Sequence, residues 1–479
     1  MLSAPFGARA APPAALPAVS SLSAVNAQAT AVVKHLVSLV DGWAKRTALV
    51  ADSPQALEPI LALRIAVVRM LAPPPGLPLG LPAAPAAAAA GSADKASERR
   101  AEGLAGLRSL VSRSHSSMWL RLAKSARAAG HLETAAQALA QAAVHEPYSA
   151  CLVGAKMAWE AGTPHEAVLR LQQQRKTLAS LEPEATLEGS LLPAREIHVK
   201  TMLRLAQYLT EQAGDAEDAE ISQLHRETVR VCPDRSKQIE KVYYRYACFC
   251  DRLLERNLAR AKRAEVYSLG RTPGARSSLE KKSVKAIDRQ NRAYEAYCKH
   301  LPEVMRNYGQ SLARGMRHAN HALSRLVTAY LEYADLQETC RTAAGNSHAP
   351  RPTNADLPHD LFREHVERLP TFQWLPCVAQ LVSRSTHRNG KAKDLIHGLL
   401  ATLLATYPSQ LCWTIVPSSL STIEVRRRQG ETIVARAKQN MIGQGRSAEI
   451  LTTARRIMEA LKRVSNDNSM EKREKQVCC

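Results

Sequence analysis

The sequence predicts an all-α protein: a right-handed solenoid of helical hairpins of the tetratricopeptide/HEAT-like kind, preceded by a disordered Ala/Pro-rich N-terminal region. Strand-like alternation of apolar and polar residues never persists, whereas Gly or Pro interrupts the apolar pattern roughly every 12 to 18 residues. Aromatic residues make up 4% of the chain, and Ala and Leu are abundant, which disfavours a β-sandwich. A hairpin pattern also recurs 32 residues apart, from Gly130 to Gly162.

The N-terminal part is predicted to hold little folded structure apart from one hairpin. Residues 1–31 are rich in Ala, Pro and Ser and are predicted to be disordered, because their prolines would break the amphipathic helix of an organellar targeting peptide, the alternative interpretation. Residues 32–72 carry two stretches of helical periodicity and predict a helical hairpin. Residues 73–98 are dominated by Ala and Pro, which predicts a linker.

Tetratricopeptide-like hairpins are predicted over residues 116–233. In the first, Trp119 precedes a turn at Gly130, and in the second Trp159 stands just before a turn at Gly162. Glycine suits these turns because a Cβ would oppose their backbone conformation, and small residues allow the two helices to approach closely. A third, degraded copy places Gly214 at its turn.

Longer helices are predicted to follow over residues 237–340. The apolar stripes suggest helices at Lys237–Leu258, Ser283–Leu301 and Val304–Leu336. A loop at 341–358, a C-terminal block at 359–441, a final helix at 442–465 and a charged tail at 466–479 complete the chain. The whole of 99–441 is therefore predicted to be one helical solenoid.

Composition excludes several classes of function. No apolar run approaches the roughly 20 residues of a membrane span, so no membrane partner is expected. The ten cysteines contain no C-x-x-C pair, which indicates a reducing compartment and buried thiols. His198, His387 and His397 lack acidic or Cys partners at ligand spacing, so no metal site is predicted.

The formal net charge of +21 raises the question of nucleic acid. Residues 235–292 contain 16 Lys or Arg against six acids. Binding of nucleic acid through this stretch is possible but is not favoured, because aromatic residues for base stacking are not interleaved with the charges of the loop near residues 270–278. Solvated helix faces explain the charges more simply.

Several strings, in their order along the chain, resemble the FAT domain of the phosphatidylinositol-kinase-related protein kinases, most closely the ATR-type checkpoint members. Trp119 to His131 and Met157 to Gly162 resemble two hairpins of that family, and Tyr244 to Leu254 resembles a later helix. The most specific string runs from Tyr308-Gly309 to Leu331-Glu332-Tyr333. Leu369 to Trp413 then resembles the block that precedes the kinase domain in the family.

The resemblance implies a scaffold that clamps a kinase domain and passes conformational signals to it. It implies packing residues and no catalytic, cofactor-binding or metal-binding ones; the structural signature is Trp119, Gly130, Trp159, Gly162, Tyr308, Gly309, Arg325, Leu326, Leu369, Pro370, Phe372, Trp374, Tyr407, Pro408 and Trp413. All four of the tryptophans in this set are expected to lie in the core. Arg325, which stands among apolar residues, is expected either to form an ion pair, with Glu332 as the candidate partner, or to extend its charged end to solvent.

No Asp-Phe-Gly or catalytic-loop motif of such kinases is found in the sequence, so we expect the chain alone to be inactive. ATP and magnesium are then expected only for a kinase domain outside this chain, reached in cis or in trans. The resemblance further implies other checkpoint proteins as partners, a nuclear location and DNA-damage signalling. The alternative is a stand-alone tetratricopeptide-like adaptor that binds other proteins and needs no kinase.

Overall fold

The computed structural model confirms the all-α class. It describes residues 35, 38, 42, 43, 46, 54–71, 114–144, 146–181, 194–212, 218–269, 278–342 and 356–466, and none of these residues lies in a strand. The predicted disordered start at 1–31 and linker at 73–98 lie outside the described residues, as does the tail beyond 466. The chain divides into two compact units, Met1–Thr201 and Met202–Cys479.

The first unit contains a series of short helices. They are α1 (Pro54–Leu71), α2 (residues 114–128), α3 (Leu132–Ala143), α4 (Pro147–Glu160), α5 (Pro164–Ala179) and the first part of α6 (Ala194–Gln212). Two of the three predicted turn glycines are confirmed, since Gly130 and Gly162 have φ angles of 83° and 82°, a region that residues with a Cβ rarely adopt. Helices α2 and α3, and α4 and α5, therefore form the two predicted hairpins. The third predicted turn glycine, Gly214, lies outside the described residues.

Small residues lie where the helices of these hairpins pack. Ala135, Ala155 and Ala167 are completely buried, as expected for close helix approach. Two tryptophans of the signature differ from the prediction, because Trp119 and Trp159 are only partly buried. The Trp119 indole N–H donates to His115 Nε2 at 3.0 Å, so the ring keeps a polar edge near solvent.

The second unit begins within α6 and contains the longer helices. They are α7 (Asp218–Val231), α8 (Ile239–Leu269), α9 (Ser278–Arg314), α10 (Ala319–Thr342), α11 (Leu357–Arg368), α12 (Val378–Ser383), α13 (Gly390–Thr406), α14 (Pro408–Ile415), α15 (Glu424–Gly443) and α16 (Glu449–Asn466), with 3-10 helices at Thr371–Cys377 and Val416–Leu420. No described helix has the length and apolar character needed to cross a bilayer.

Two predicted helix ends are wrong. The helix predicted at Lys237–Leu258 continues to Leu269 in the structure. The sequence suggested a break after Leu301, but α9 continues through Pro302 and ends at Arg314. An internal proline costs a helix about 3 kcal/mol. The apolar face of α9 buries Leu301, Val304 and Met305 completely, and this burial along the same turns offsets the cost. The chain turns instead at residues 315–318.

The core of the second unit contains three aromatic rings in contact, two of them stacked. Tyr330 and Phe362 lie parallel with centroids 4.0 Å apart, and Phe362 meets Trp374 edge-on at 5.7 Å. Trp374 is completely buried, which confirms the prediction for this tryptophan. The prediction is wrong for Trp413, which is 53% exposed because it projects from the outer face of the short helix α14.

Candidate functional site

Three long helices are joined at a buried carboxylate, Asp251 of α8. Arg325 of α10 donates to it from Nε at 2.8 Å and from Nη2 at 2.7 Å, a bidentate pair, and the Tyr308 hydroxyl of α9 donates at 3.0 Å. Arg325 also reaches Glu255 at 2.8 Å. We call Asp251, Glu255, Tyr308 and Arg325 the arginine network.

The two carboxylates of the arginine network differ in their surroundings. The Asp251 side chain is 8% exposed, whereas that of Glu255 is 60% exposed. Hydrogen bonding to Asp251 raises the pKa of Arg325, and burial raises the pKa of the Tyr308 hydroxyl. The arginine is thus held as a cation and the tyrosine as a neutral donor, which together compensate the buried negative charge.

The predicted partner of Arg325 is wrong. Glu332 forms no ion pair with Arg325 within the described part of the chain; burial raises the pKa of the Glu332 carboxyl, and the charge of Arg325 lowers it. Asp251 was missed because it was read only as part of the Tyr244 to Leu254 string. The available signal was its place on one helix face with the apolar residues Ala247 and Leu254, at i−4 and i+3, both of which are buried. A carboxylate on such a face needs a partner.

A close approach joins α9 to α11. A Cβ added to Gly309 would overlap the imidazole ring of His365, so only glycine allows this packing. The His365 ring donates from Nε2 to the backbone carbonyl of Met305 at 3.1 Å, and burial lowers its pKa. Gly309 therefore has a structural role inside α9, within a stretch that was predicted to be helical.

A second polar cluster joins α10 to the segments that follow it. Tyr330 donates to His359 Nδ1 at 3.0 Å, and His359 Nε2 donates to Gln337 Oε1 at 2.8 Å. The same amide oxygen accepts from Asn389 Nδ2 at 2.8 Å, while Asn389 Oδ1 caps α13 by accepting from the Ala392 N–H. These bonds fix the neutral tautomer of His359 and hold α10, α11 and α13 together.

The remaining signature residues fall into two groups. Leu326, Leu369 and Pro408 are buried and Tyr407 is partly buried, whereas Pro370 and Phe372 are exposed. The Thr371 hydroxyl lies 3.3 Å from the Tyr407 hydroxyl, which links the 3-10 helix to the start of α14. The exposed members of the signature take no part in the core.

This arrangement suits mechanical coupling better than chemistry. The described residues contain no cluster of three His, Cys, Asp or Glu side chains able to hold a metal. Burial raises the pKa of Cys377 to about 11, and it also raises the pKa of Cys250, so both thiols stay protonated and unreactive. The buried His397 donates from Nε2 to the backbone carbonyl of Ser385 at 2.8 Å.

Two known sequence families match parts of this chain. The profile of the FAT domain family matches residues 21–328, well over half of the chain, and includes the arginine network. This chain belongs to the FAT domain family. A second profile, described as the HEAT repeats of ATR-like serine/threonine-protein kinases, matches residues 359–467. This FAT domain chain thus carries both regions in one sequence, and Gly309 and His365 lie on opposite sides of their boundary.

Two relatives with sequence similarity to this chain are serine/threonine-protein kinases that are several times longer than it. The chain is 25% identical over 357 residues to the serine/threonine-protein kinase ATR of Arabidopsis thaliana, covering 70% of this chain and 12% of that protein. It is 23% identical over 371 residues to the serine/threonine-protein kinase MEC1 of Eremothecium gossypii, covering 77% of this chain and 14% of that protein. The FAT domain chain therefore spans about an eighth of the length of these relatives.

Two solved structures align with parts of this chain at 14% sequence identity. The complete CtTel1 dimer with C2 symmetry aligns with a TM-score of 0.49 and covers 69% of this chain and 12% of that chain. The FAT and kinase domain of CtTel1 aligns with a TM-score of 0.47 and covers 72% of this chain and 26% of that chain.

Proposed function

We propose that this chain is the FAT segment of an ATR-like serine/threonine protein kinase, where it clamps and regulates the kinase domain in DNA-damage checkpoint signalling in the nucleus. The observation that carries the proposal is the shared core of the second unit. Residues matched by the FAT profile, such as Leu326, and residues matched by the ATR-like profile, such as Trp374, are completely buried in the same hydrophobic cluster.

A shared core supports a role in transmitting movement from the helices of the FAT-matched region to the C-terminal block. A displacement of α9 or α10 moves α11 and the 3-10 helix with it, because close-packed interiors deform little. Gln373 donates to the Leu312 carbonyl at 3.3 Å, and Gln380 donates to Thr328 at 2.9 Å, so directional bonds add to the apolar contacts. The C-terminal block would transmit this displacement to the kinase domain. ATP and magnesium would bind to that domain and not to this chain.

The endogenous protein provides the first test. An antibody raised against residues 300–340 should detect a band several times larger than the 52.4 kDa computed for this sequence, enriched in nuclear fractions. The immunoprecipitate should phosphorylate serine or threonine in a generic protein substrate. A band near 52 kDa without kinase activity would contradict the proposal and favour the adaptor.

The clamping role has a separate test. Arg325→Met at the genomic locus should lower kinase activity per molecule, since it loosens the bond between α8 and α10 without touching a catalytic group. Glu255→Gln is the matched control, because it removes the exposed partner of the same arginine. Equal kinase activity in both variants and wild type would refute a regulatory role for this segment.

A further inference from the structure

Two distant segments meet where the turn between α9 and α10 packs on the start of α8. The Glu240 carboxylate accepts from the backbone N–H of His318 at 3.0 Å, and Ser311 donates to the Glu240 carbonyl at 3.2 Å. Arg314 also pairs with Asp234 at 3.2 Å. We call residues 234–245 together with residues 314–321 the cationic-aromatic patch.

The patch is strongly basic. It has six cations against two acids, and both acids are engaged, Asp234 by Arg314 and Glu240 by the His318 N–H; the cations are Arg235, Lys237, Lys241, Arg245, Arg314 and Arg317. Arg235, Lys237 and Arg317 are exposed, and in the part of the chain that the structure describes they form no ion pair. Their charges are therefore available to an anionic partner.

Flat rings lie among these charges. Tyr244 stacks on His318 with centroids 4.0 Å apart and planes 7° apart, and the exposed His321 meets Tyr244 edge-on at 5.6 Å. The Arg314 guanidinium lies over the Tyr243 ring at 4.6 Å. Burial lowers the pKa of His318; the Glu240 carboxylate opposes this shift, and the nearby cations of the patch add to it. The net shift favours the neutral ring.

We propose that the cationic-aromatic patch binds single-stranded nucleic acid. Exposed Arg and Lys side chains would contact the phosphates, and His321 beside Tyr244 would stack on a base. An acidic peptide would pair with the cations but would make no stacking contact with the rings. The aromatic residues therefore favour nucleic acid as the partner. Any basic protein attracts polyanions, but rings between the cations are what single-strand binding surfaces combine with charge.

Residues 235–245 of the patch lie inside the basic stretch 235–292, for which nucleic acid was not favoured on sequence alone. That expectation rested on the loop near residues 270–278, where no rings accompany the charges. The rings come from the other end of α8 and from a turn about 70 residues further along the chain, and the two segments are neighbours only after folding. This inference is independent of the kinase assignment.

The test uses the complete 479-residue chain and a fluorescein-labelled oligothymidylate of about 20 nucleotides, with fluorescence anisotropy measured over a series of salt concentrations. The triple variant Arg235→Gln, Lys237→Gln, Arg317→Gln should bind about a hundredfold more weakly near 0.1 M salt, with a salt slope smaller by about 2, as expected for three lost phosphate contacts. His321→Ala should weaken binding at least about fivefold at unchanged slope, because it removes a stacking ring and no charge.

The matched control is Arg426→Gln, Arg456→Gln, Arg463→Gln, which removes three exposed arginines elsewhere in the same unit. Circular dichroism verifies that every variant keeps its helices. An oligouridylate of equal length decides between RNA and DNA as the preferred strand. The proposal is overturned if the control triple weakens binding as much as the patch triple, if His321→Ala binds like wild type, or if polyglutamate of equal charge displaces the strand equally well.

Discussion

Replacing Arg325 by Met leaves the Asp251 carboxylate buried with a single donor, the Tyr308 hydroxyl. Removal of one partner from a buried, hydrogen-bonded ion pair costs about 3 to 5 kcal/mol, because the remaining charge is uncompensated. Loss of the Glu255 contact by Glu255→Gln should cost about 0 to 1 kcal/mol, since that carboxylate is 60% exposed and water replaces the arginine. The two variants disturb the same guanidinium, so their difference isolates the effect of burial.

Native-state hydrogen exchange of the recombinant chain measures these costs locally. Amides of α8 and α10 should exchange roughly a hundredfold to several thousandfold faster in Arg325→Met and less than tenfold faster in Glu255→Gln. The double variant Asp251→Leu, Arg325→Met should recover part of the protection, because it removes both charges together. Equal acceleration of amide exchange in Arg325→Met and Glu255→Gln would refute the claim that the buried Asp251 carboxylate accounts for most of the stabilisation by the arginine network.

Further predictions concern packing and protonation. Gly309→Ala should lower the free energy of unfolding by about 1 to 3 kcal/mol because its methyl group meets the His365 ring, whereas Gly398→Ala, with open space at its Cβ inside α13, should raise it by about 0.5 to 1 kcal/mol; urea denaturation of both variants checks this contrast, and destabilisation by both would contradict it. Burial, with a smaller effect of Arg245, lowers the pKa of His225 to about 4. Since this lies below the ordinary value of 6.5, the unfolded state binds the proton more tightly, and up to about 3 kcal/mol of stability present above pH 6.5 should be lost as the pH falls to 4. Denaturation at several pH values should show a shallower acid loss for His225→Gln than for wild type, and equal slopes would contradict the assignment.

The hairpins were predictable from the sequence because their signals are local. Apolar periodicity and glycine placement act within one or two helical turns, and Gly130 and Gly162 adopt the conformations that their positions suggested. The family resemblance of the Tyr308-Gly309 string depended only on the order of residues, and the family comparisons confirm it. The fold class and family therefore required no knowledge of which helices touch.

Partner choice required the tertiary structure. Arg325 lies 74 positions from Asp251, and helical periodicity states which face of a helix is buried but not which carboxylate meets it there; Glu332 on the same helix was the nearer choice and the wrong one. The same limit explains why the patch escaped notice, since Tyr244 and His318 stack only after α8 and the α9–α10 turn have packed. Local residue patterns were enough for the helical class and the glycine turns, because both depend on neighbours within a few residues. Which charges and rings meet could be known only from the folded chain, because it depends on packing between segments far apart in the sequence.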